Sequence, residues 1–271
     1  MNDKRKPVKA IDFHTHAFPD ELAAKALEKL SKAGEVEPKL NGTVSDLLRS
    51  MDRAGIEKSV VACIATRPKQ FHSILRWAGE ASSERIVVFP SVHPMSPDAV
   101  ENVRQVADAG FRGIKLHPYY QEFRLDDERA FPVYEEMERQ NLILLAHTGF
   151  DFAFPEDRIA DPEKVVEVHE RFPDLTFVTS HLGGWHDWDE VERHLVGRDI
   201  YIETSFSLEV MSQEQARSII TSHRADRMMF GTDSPWTDQG QALQLIRDLN
   251  LDPDREASLL RHNAQRLLAA K

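Results

Sequence analysis

Residues 10–18 read AIDFHTHAF, an apolar run in which Asp12, His14 and His16 stand at alternate positions. In a β-strand, residues i, i+2 and i+4 share one side, so the spacing predicts that these three face one way while Ile11 and Phe13 face the other. The apolar side has a core to pack against. The polar side needs partners, because a buried imidazole or carboxylate with neither hydrogen bond nor ion is costly. A single histidine there would read as a side chain facing water, but two imidazoles at i and i+2 can converge on one cation.

Segments of the same kind recur along the chain: EKSVVACIAT (57–66), RIVVFPSVHP (85–94), FRGIKLHP (111–118), NLILLAHTG (141–149), LTFVTSHLGG (175–184), DIYIETSF (199–206) and RMMFGTDSP (227–235). Amphipathic helical patterns lie between them, among them 43–55, 96–110, 127–140, 161–172 and 212–224, several with Ser, Thr or Asp where an N-cap belongs. Regular β-then-α alternation means parallel strands joined by crossovers. Eight such units are what a closed (β/α)8 TIM barrel of the α/β class requires. A doubly wound open sheet would carry a Gly-rich phosphate turn after its first strand, and none is present. No linker or change of composition divides residues 1–271, so one domain is expected. Residues 20–40 read as an inserted helix and loop, either a cap over the barrel mouth or a surface decoration.

The 271 residues suffice for a sizeable core, and 41% hydrophobic with 29% charged residues is ordinary for a globular protein. A net charge of -11 argues against nucleic acid or an anionic membrane as partner. No apolar run reaches membrane-spanning length, and the opening MNDKRKPVK lacks the hydrophobic region of a signal peptide, so a cytoplasmic location is expected. Cys63 is the single cysteine, which excludes an intrachain disulfide and a cysteine-held zinc cluster. Any metal must therefore rest on His, Asp and Glu.

Barrel active sites lie at the C-terminal ends of the strands. There the sequence places His14 and His16 on the first strand, Lys115 and His117 on the fourth, His147 on the fifth, His181 on the sixth and Asp233 on the eighth. Alternation puts Lys115 with His117, His147 with Ile143 and Leu145, and His181 with Phe177 and Thr179, each on a face expected to point into the barrel. His14-x-His16, AHTG with His147, SHLGG with His181 and FGTDSPW with Asp233 together resemble the amidohydrolase superfamily. The likeness is to its amidohydrolase-related branch, which includes aminocarboxymuconate-semialdehyde decarboxylase-like enzymes, and it runs over essentially the whole chain.

That resemblance implies a divalent ion at the barrel mouth, held by His14, His16, His147 and Asp233. Zn²⁺ suits three imidazoles and a carboxylate, while Mn²⁺, Fe²⁺ or Co²⁺ fit the same donors. A single ion is favoured over two. Asp233 and His181 are the implied catalytic residues, the first as proton acceptor and the second as a partner of water or of a substrate carbonyl. Lys115 and His117 are open between a metal bridge and a substrate contact. Asp12 reads as a supporting partner rather than a ligand, and Glu203 as structural.

The loops after the strands offer a substrate wall. Arg67 could grip a carboxylate by two parallel hydrogen bonds, and Tyr119, Tyr120, Phe150, Trp185, Phe206 and Trp236 suit a flat ligand or a protein interface. A small-molecule substrate is expected, and a homo-oligomer is left open. The reading ranked first is a hydrolase of a small ester, lactone or amide acting through a water activated by the ion. Non-oxidative decarboxylation of a small unsaturated or aromatic carboxylate comes second. A metal-holding binding protein without turnover is the third, and the presence of both Asp233 and His181 counts against it.

Overall fold

The computed structural model describes residues 9–154 and 157–270, and its strands fall inside the segments read above except that β2 begins one residue earlier, at Ile56. The strands are β1 Ala10–Thr15, β2 Ile56–Ala62, β3 Ile86–Phe89, β4 Gly113–Leu116, β5 Ile143–Ala146, β6 Phe177–Thr179, β7 Tyr201–Glu203 and β8 Met228–Met229. The helices are α1 Asp20–Gly34, α2 Val44–Ala54, α3 Phe71–Ala81, α4 Ala99–Asp108, α5 Phe131–Arg139 and α6 Pro162–Arg171. They continue with α7 Trp188–His194, α8 Gln213–Ser222, α9 Gln239–Asp248, α10 Pro253–Ala257 and α11 Asn263–Ala269. The polar opening, apart from Lys9, lies outside the described residues. No described helix is long and apolar enough to cross a membrane.

Strands pair in parallel as two arcs, β1–β2–β3 and β4–β5–β6–β7–β8. Backbone hydrogen bonds beyond the regular ladders close the arcs into a barrel. Lys115 N donates to Pro90 O (2.9 Å) at one seam, and Phe13 N donates to Phe230 O (2.7 Å) at the other. Local chemistry fixes the helices between them. In α2 the Thr43 hydroxyl accepts from Asp46 N at the start, and Gly55, at φ 75°, takes the left-handed turn that ends it. Leu47 and Met51 of that helix are buried, each stabilising the fold by about 1.5–3 kcal/mol.

Ile11, Phe13, Val60, Phe89, Leu145, Val178 and Met229 fill the barrel interior, with Ala264 and Leu267 of α11 packed against them. Ile114, Leu116, Leu144, Ala146 and Phe177 belong to the outer layer between sheet and helices. Strict alternation therefore holds in β4 and β5 and fails in β1 and β6. In β1 it is Ile11 and Phe13 that face inward, while the Asp12 carboxylate accepts from Gln239 Nε2 of α9 (2.7 Å). A shift of register between Asp12 and Thr15 then brings His14 inward above Phe13. In β6 Val178 is interior and Phe177 is not, and His181 returns to the barrel through left-handed backbone at His181 and Leu182 (φ 58° and 53°).

Residues 20–40 form α1 and a return loop, and the two ends of the excursion meet where Phe18 N donates to Gly42 O (2.8 Å). Lys39 N donates to Pro235 O (2.6 Å), which fastens the loop to the segment after β8.

Candidate active site

The site begins with two imidazoles whose tautomers are set by their neighbours. His16 Nδ1 lies 2.7 Å from Ala62 O, and a carbonyl can only accept, so Nδ1 carries the proton. His14 Nδ1 lies 2.8 Å from Glu203 Oε1 and 3.1 Å from Ser205 Oγ, whose own hydroxyl donates to the same carboxylate oxygen (2.7 Å). The remaining ring nitrogens of both histidines thus present lone pairs, and they stand 3.2 Å apart. Asp233 Oδ1 joins them at 3.0 Å from His16 Nε2 and 3.5 Å from His14 Nε2, buried and without a hydrogen bond among the described residues. Three lone pairs meeting with no proton between them repel unless a cation sits there. The donor set therefore fits a divalent ion of zinc-like chemistry.

Charge around this point follows from burial. Desolvation holds His14 well below the ordinary imidazole value and pushes Lys115 down to about 8. The Lys115 ammonium lies 3.3 Å from His14 Nε2 and donates towards it.

Asp233 owes its position to the turn after β8. Its φ is 63°, and its backbone N donates to His14 O (2.8 Å). Asp12 braces that turn by accepting from Thr232 N (3.0 Å) and Thr232 Oγ1 (2.6 Å), and burial raises its carboxyl to about 7. A Cβ at Gly231 would come within 2.0 Å of Glu203 Oε2, so only glycine lets β8 pass this carboxylate.

His181 Nδ1 donates to Ser205 O (3.1 Å), which leaves a lone pair on its Nε2, 2.9 Å from His147 Nδ1. His147 Nε2 donates to Phe150 O (3.2 Å) and has Asp151 Oδ2 at 3.9 Å, so the Nδ1 of His147 presents its lone pair beside His181 Nε2. The His117 ring stacks on His147 with centroids 4.2 Å apart. So the structure gathers His14, His16 and Asp233 with Lys115, and on the neighbouring side it gathers His147 with His117, Asp151 and His181.

These groups form one end of a cavity of about 610 Å³. Phe18, Leu22, Trp77, Phe152, Phe206 and Trp236 are among its walls, with α1 on one side and α3 on another. Tyr119 is buried and donates through its hydroxyl to Gly149 O (2.7 Å), so Tyr120 rather than Tyr119 reaches the cavity. Arg67 is exposed and does not line it; the guanidinium that does is Arg76 of α3. Glu203, Ser205 and Asp151 escape a reading based on strand ends. Glu203 alone carried a signal there, as an acid closing the apolar β7.

The sequence profile of a family described as Amidohydrolase matches residues 11–269. Solved structures with the same fold include a TIM-barrel protein of Bordetella bronchiseptica, 23% identical, TM-score 0.75, covering 96% of this chain and 98% of that one. The 5-carboxyvanillate decarboxylase of Sphingomonas paucimobilis is 19% identical, TM-score 0.74, over 97% of this chain and 100% of that one. That of Novosphingobium aromaticivorans, complexed with manganese and 4-hydroxy-3-methoxy-5-nitrobenzoic acid, is 13% identical, TM-score 0.71, over 97% of both chains. No curated protein sequence matches the chain.

Proposed function

The chain belongs to the amidohydrolase family, and from that premise we propose that it is a metal-dependent decarboxylase of a small aromatic or unsaturated carboxylate. The observation that carries the metal dependence is the meeting of His14 Nε2, His16 Nε2 and Asp233 Oδ1 as three unprotonated donors at the foot of the cavity. An ion held there would supply a positive centre for the substrate's anionic oxygens. Zn²⁺ and Mn²⁺ both suit the donors, and manganese is the ion bound in the Novosphingobium enzyme.

The aromatic walls suit a planar substrate, and the decarboxylases of the same fold bind ring carboxylates. Arg76, on the cavity wall, offers a cation to a second acidic group. Loss of CO₂ leaves an electron pair on carbon, which needs one proton. Asp233, at the junction of donors and cavity, is the group placed to pass it on. His181, its Nδ1 held by Ser205 O, presents its Nε2 beside His147 Nδ1 and the donors of the site. The segment 20–40 caps the cavity and, with α3, decides what enters.

Hydrolysis, ranked first from sequence alone, is the second reading, because Asp233 would equally serve a water attacking an ester or lactone. Protein loaded with Mn²⁺ or Zn²⁺ is to be screened against hydroxybenzoates and lactones in ¹⁸O-labelled water. Release of CO₂ with no label in the organic product is expected. Label in a newly formed carboxylic acid would overturn decarboxylation in favour of hydrolysis.

A further inference from the structure

We infer that the substrate acid carries an apolar extension beyond its first ring, an alkyl chain or a second ring, lodged in a groove walled by α1 and α3. This rests on the proposed binding of a carboxylate beside His14, His16 and Asp233. The groove is the part of the cavity that those donors do not fill. Helix α1 carries two apolar stripes. Ala23 and Leu27 are buried and seat the helix on the protein, whereas Leu22, Ala26 and Leu30, at successive four-residue steps, line the cavity. One stripe is enough to anchor a surface helix, so the second needs another cover. Leu22 is 51% exposed and Phe152 is 42% exposed; with Val210 they are the exposed large apolar side chains among the described residues, and both line this cavity. Apolar surface left open in a groove marks a binding site.

The other walls agree. On α3, Phe71 and Ala78 are buried, while Ile74 and Trp77 line the cavity. A Cβ at Gly34 would lie 2.4 Å from Phe152 Cε2, so the end of α1 rests on that ring and Phe152 closes the groove there. From Leu22 to Leu30 a helix rises about 12 Å, longer than one ring with its carboxylate. The volume of about 610 Å³ also falls in the range of roughly 300–1,000 Å³ that encloses drug-sized ligands. A single-ring acid at the donors would leave the second stripe of α1 in water. An extension covers it, and each CH₂ it buries tightens binding roughly three- to fourfold. Lys29 and Glu80 line the same cavity and are exposed, so the groove opens to water beside them and takes extensions of more than one length.

The test is calorimetric titration of the Zn²⁺-loaded full chain with benzoate and its 4-ethyl, 4-butyl and 4-hexyl derivatives. The para position sends the chain away from the carboxylate, and binding is read without turnover, so the result is independent of whether CO₂ is released. Kd is expected to fall along the series, by at least about a hundredfold from benzoate to 4-hexylbenzoate, with benzoate displacing 4-hexylbenzoate competitively. Ala26→Phe, which fills the groove, should cut that gain to less than about tenfold. Leu22→Ser, at an exposed position where folding does not depend on the side chain, should cut it at least about threefold. A Kd flat across the series, as a second copy of the chain covering the groove would also give, overturns the inference, as does an undiminished gain in Leu22→Ser and in folded Ala26→Phe. 4-Hexylbenzoate that benzoate cannot displace overturns it equally. Benzoate binding lost on removal of the metal, beside a flat series, sinks the groove alone; benzoate binding indifferent to the metal sinks the carboxylate at the ion and the inference with it.

Discussion

Glu203 Oε1 stands 2.8 Å from His14 Nδ1, so a carboxylate closing β7 fixes which nitrogen of a β1 histidine is free to bind an ion. Partners of this kind orient a ligand and raise its basicity. Glu203→Gln is expected to weaken divalent-metal affinity roughly 10–100-fold with the fold retained, measured by competition with a chelator. Unchanged affinity would mean that Ser205 alone holds the ring.

On the proposed reading Asp233 passes a proton to the substrate carbon, and Asp233→Asn keeps an oxygen donor while removing that proton carrier. Turnover should fall by roughly two to four orders of magnitude, with circular dichroism unchanged and the metal largely retained. Near-normal turnover would remove Asp233 from the chemistry.

Gly149 has φ 87°, and a Cβ there would lie 2.1 Å from Trp185 N. It sits where Trp185 N donates to Thr148 O (2.9 Å) and Phe150 N to Trp185 O (2.8 Å), so the collision is with backbone. Gly149→Ala is predicted to cost at least about 1–2 kcal/mol in urea unfolding and to lower metal content, because the same turn carries His147. A variant as stable as wild type would show that this turn relaxes freely.

His223 gives a pH dependence away from the site. Its Nε2 donates to Ile200 O (2.9 Å) and its Nδ1 accepts from Gly197 N (3.2 Å), an arrangement open only to the neutral ring. Burial lowers its pKa, so as pH falls through about 6.5 the unfolded chain takes up the proton first. This contribution to stability is complete above that pH and declines below it. His223→Gln, leaving one buried group unsatisfied, should cost about 1–3 kcal/mol near neutral pH. The gap to wild type should narrow by about pH 5, and a gap constant across that range would contradict the assignment.

The eight strands and the residues at their ends were legible because a parallel barrel repeats one pattern, apolar strand then amphipathic helix, and the polar interruptions stand out. Side-chain direction was legible only where the strands are regular. Lys115 and His147 point inward as alternation requires. His14 does so through a shift of register, and His181 and Asp233 through left-handed backbone at residues without the glycine that would announce it. Tautomers were beyond reach, since each depends on atoms far along the chain: Ala62 O for His16, Glu203 for His14, Ser205 O for His181. Arg67 failed to predict the cavity's guanidinium because a loop's proximity to a strand end says nothing of the helix that follows, and Arg76 lies on that helix.

Phe18 and Gly42 meet through a backbone hydrogen bond, so the excursion that carries α1 leaves and rejoins the barrel side by side, with Lys39 N on Pro235 O as its further tie. Closing such a loop depends only weakly on its length. The wall facing the substrate is therefore a graft, exchangeable for a longer or shorter one without moving any strand that bears a donor. Ligand preference and the reacting centre can drift apart under mutation. A transplant of residues 19–38 between barrels of this family is expected to change what the cavity admits while leaving His14, His16 and Asp233 in register.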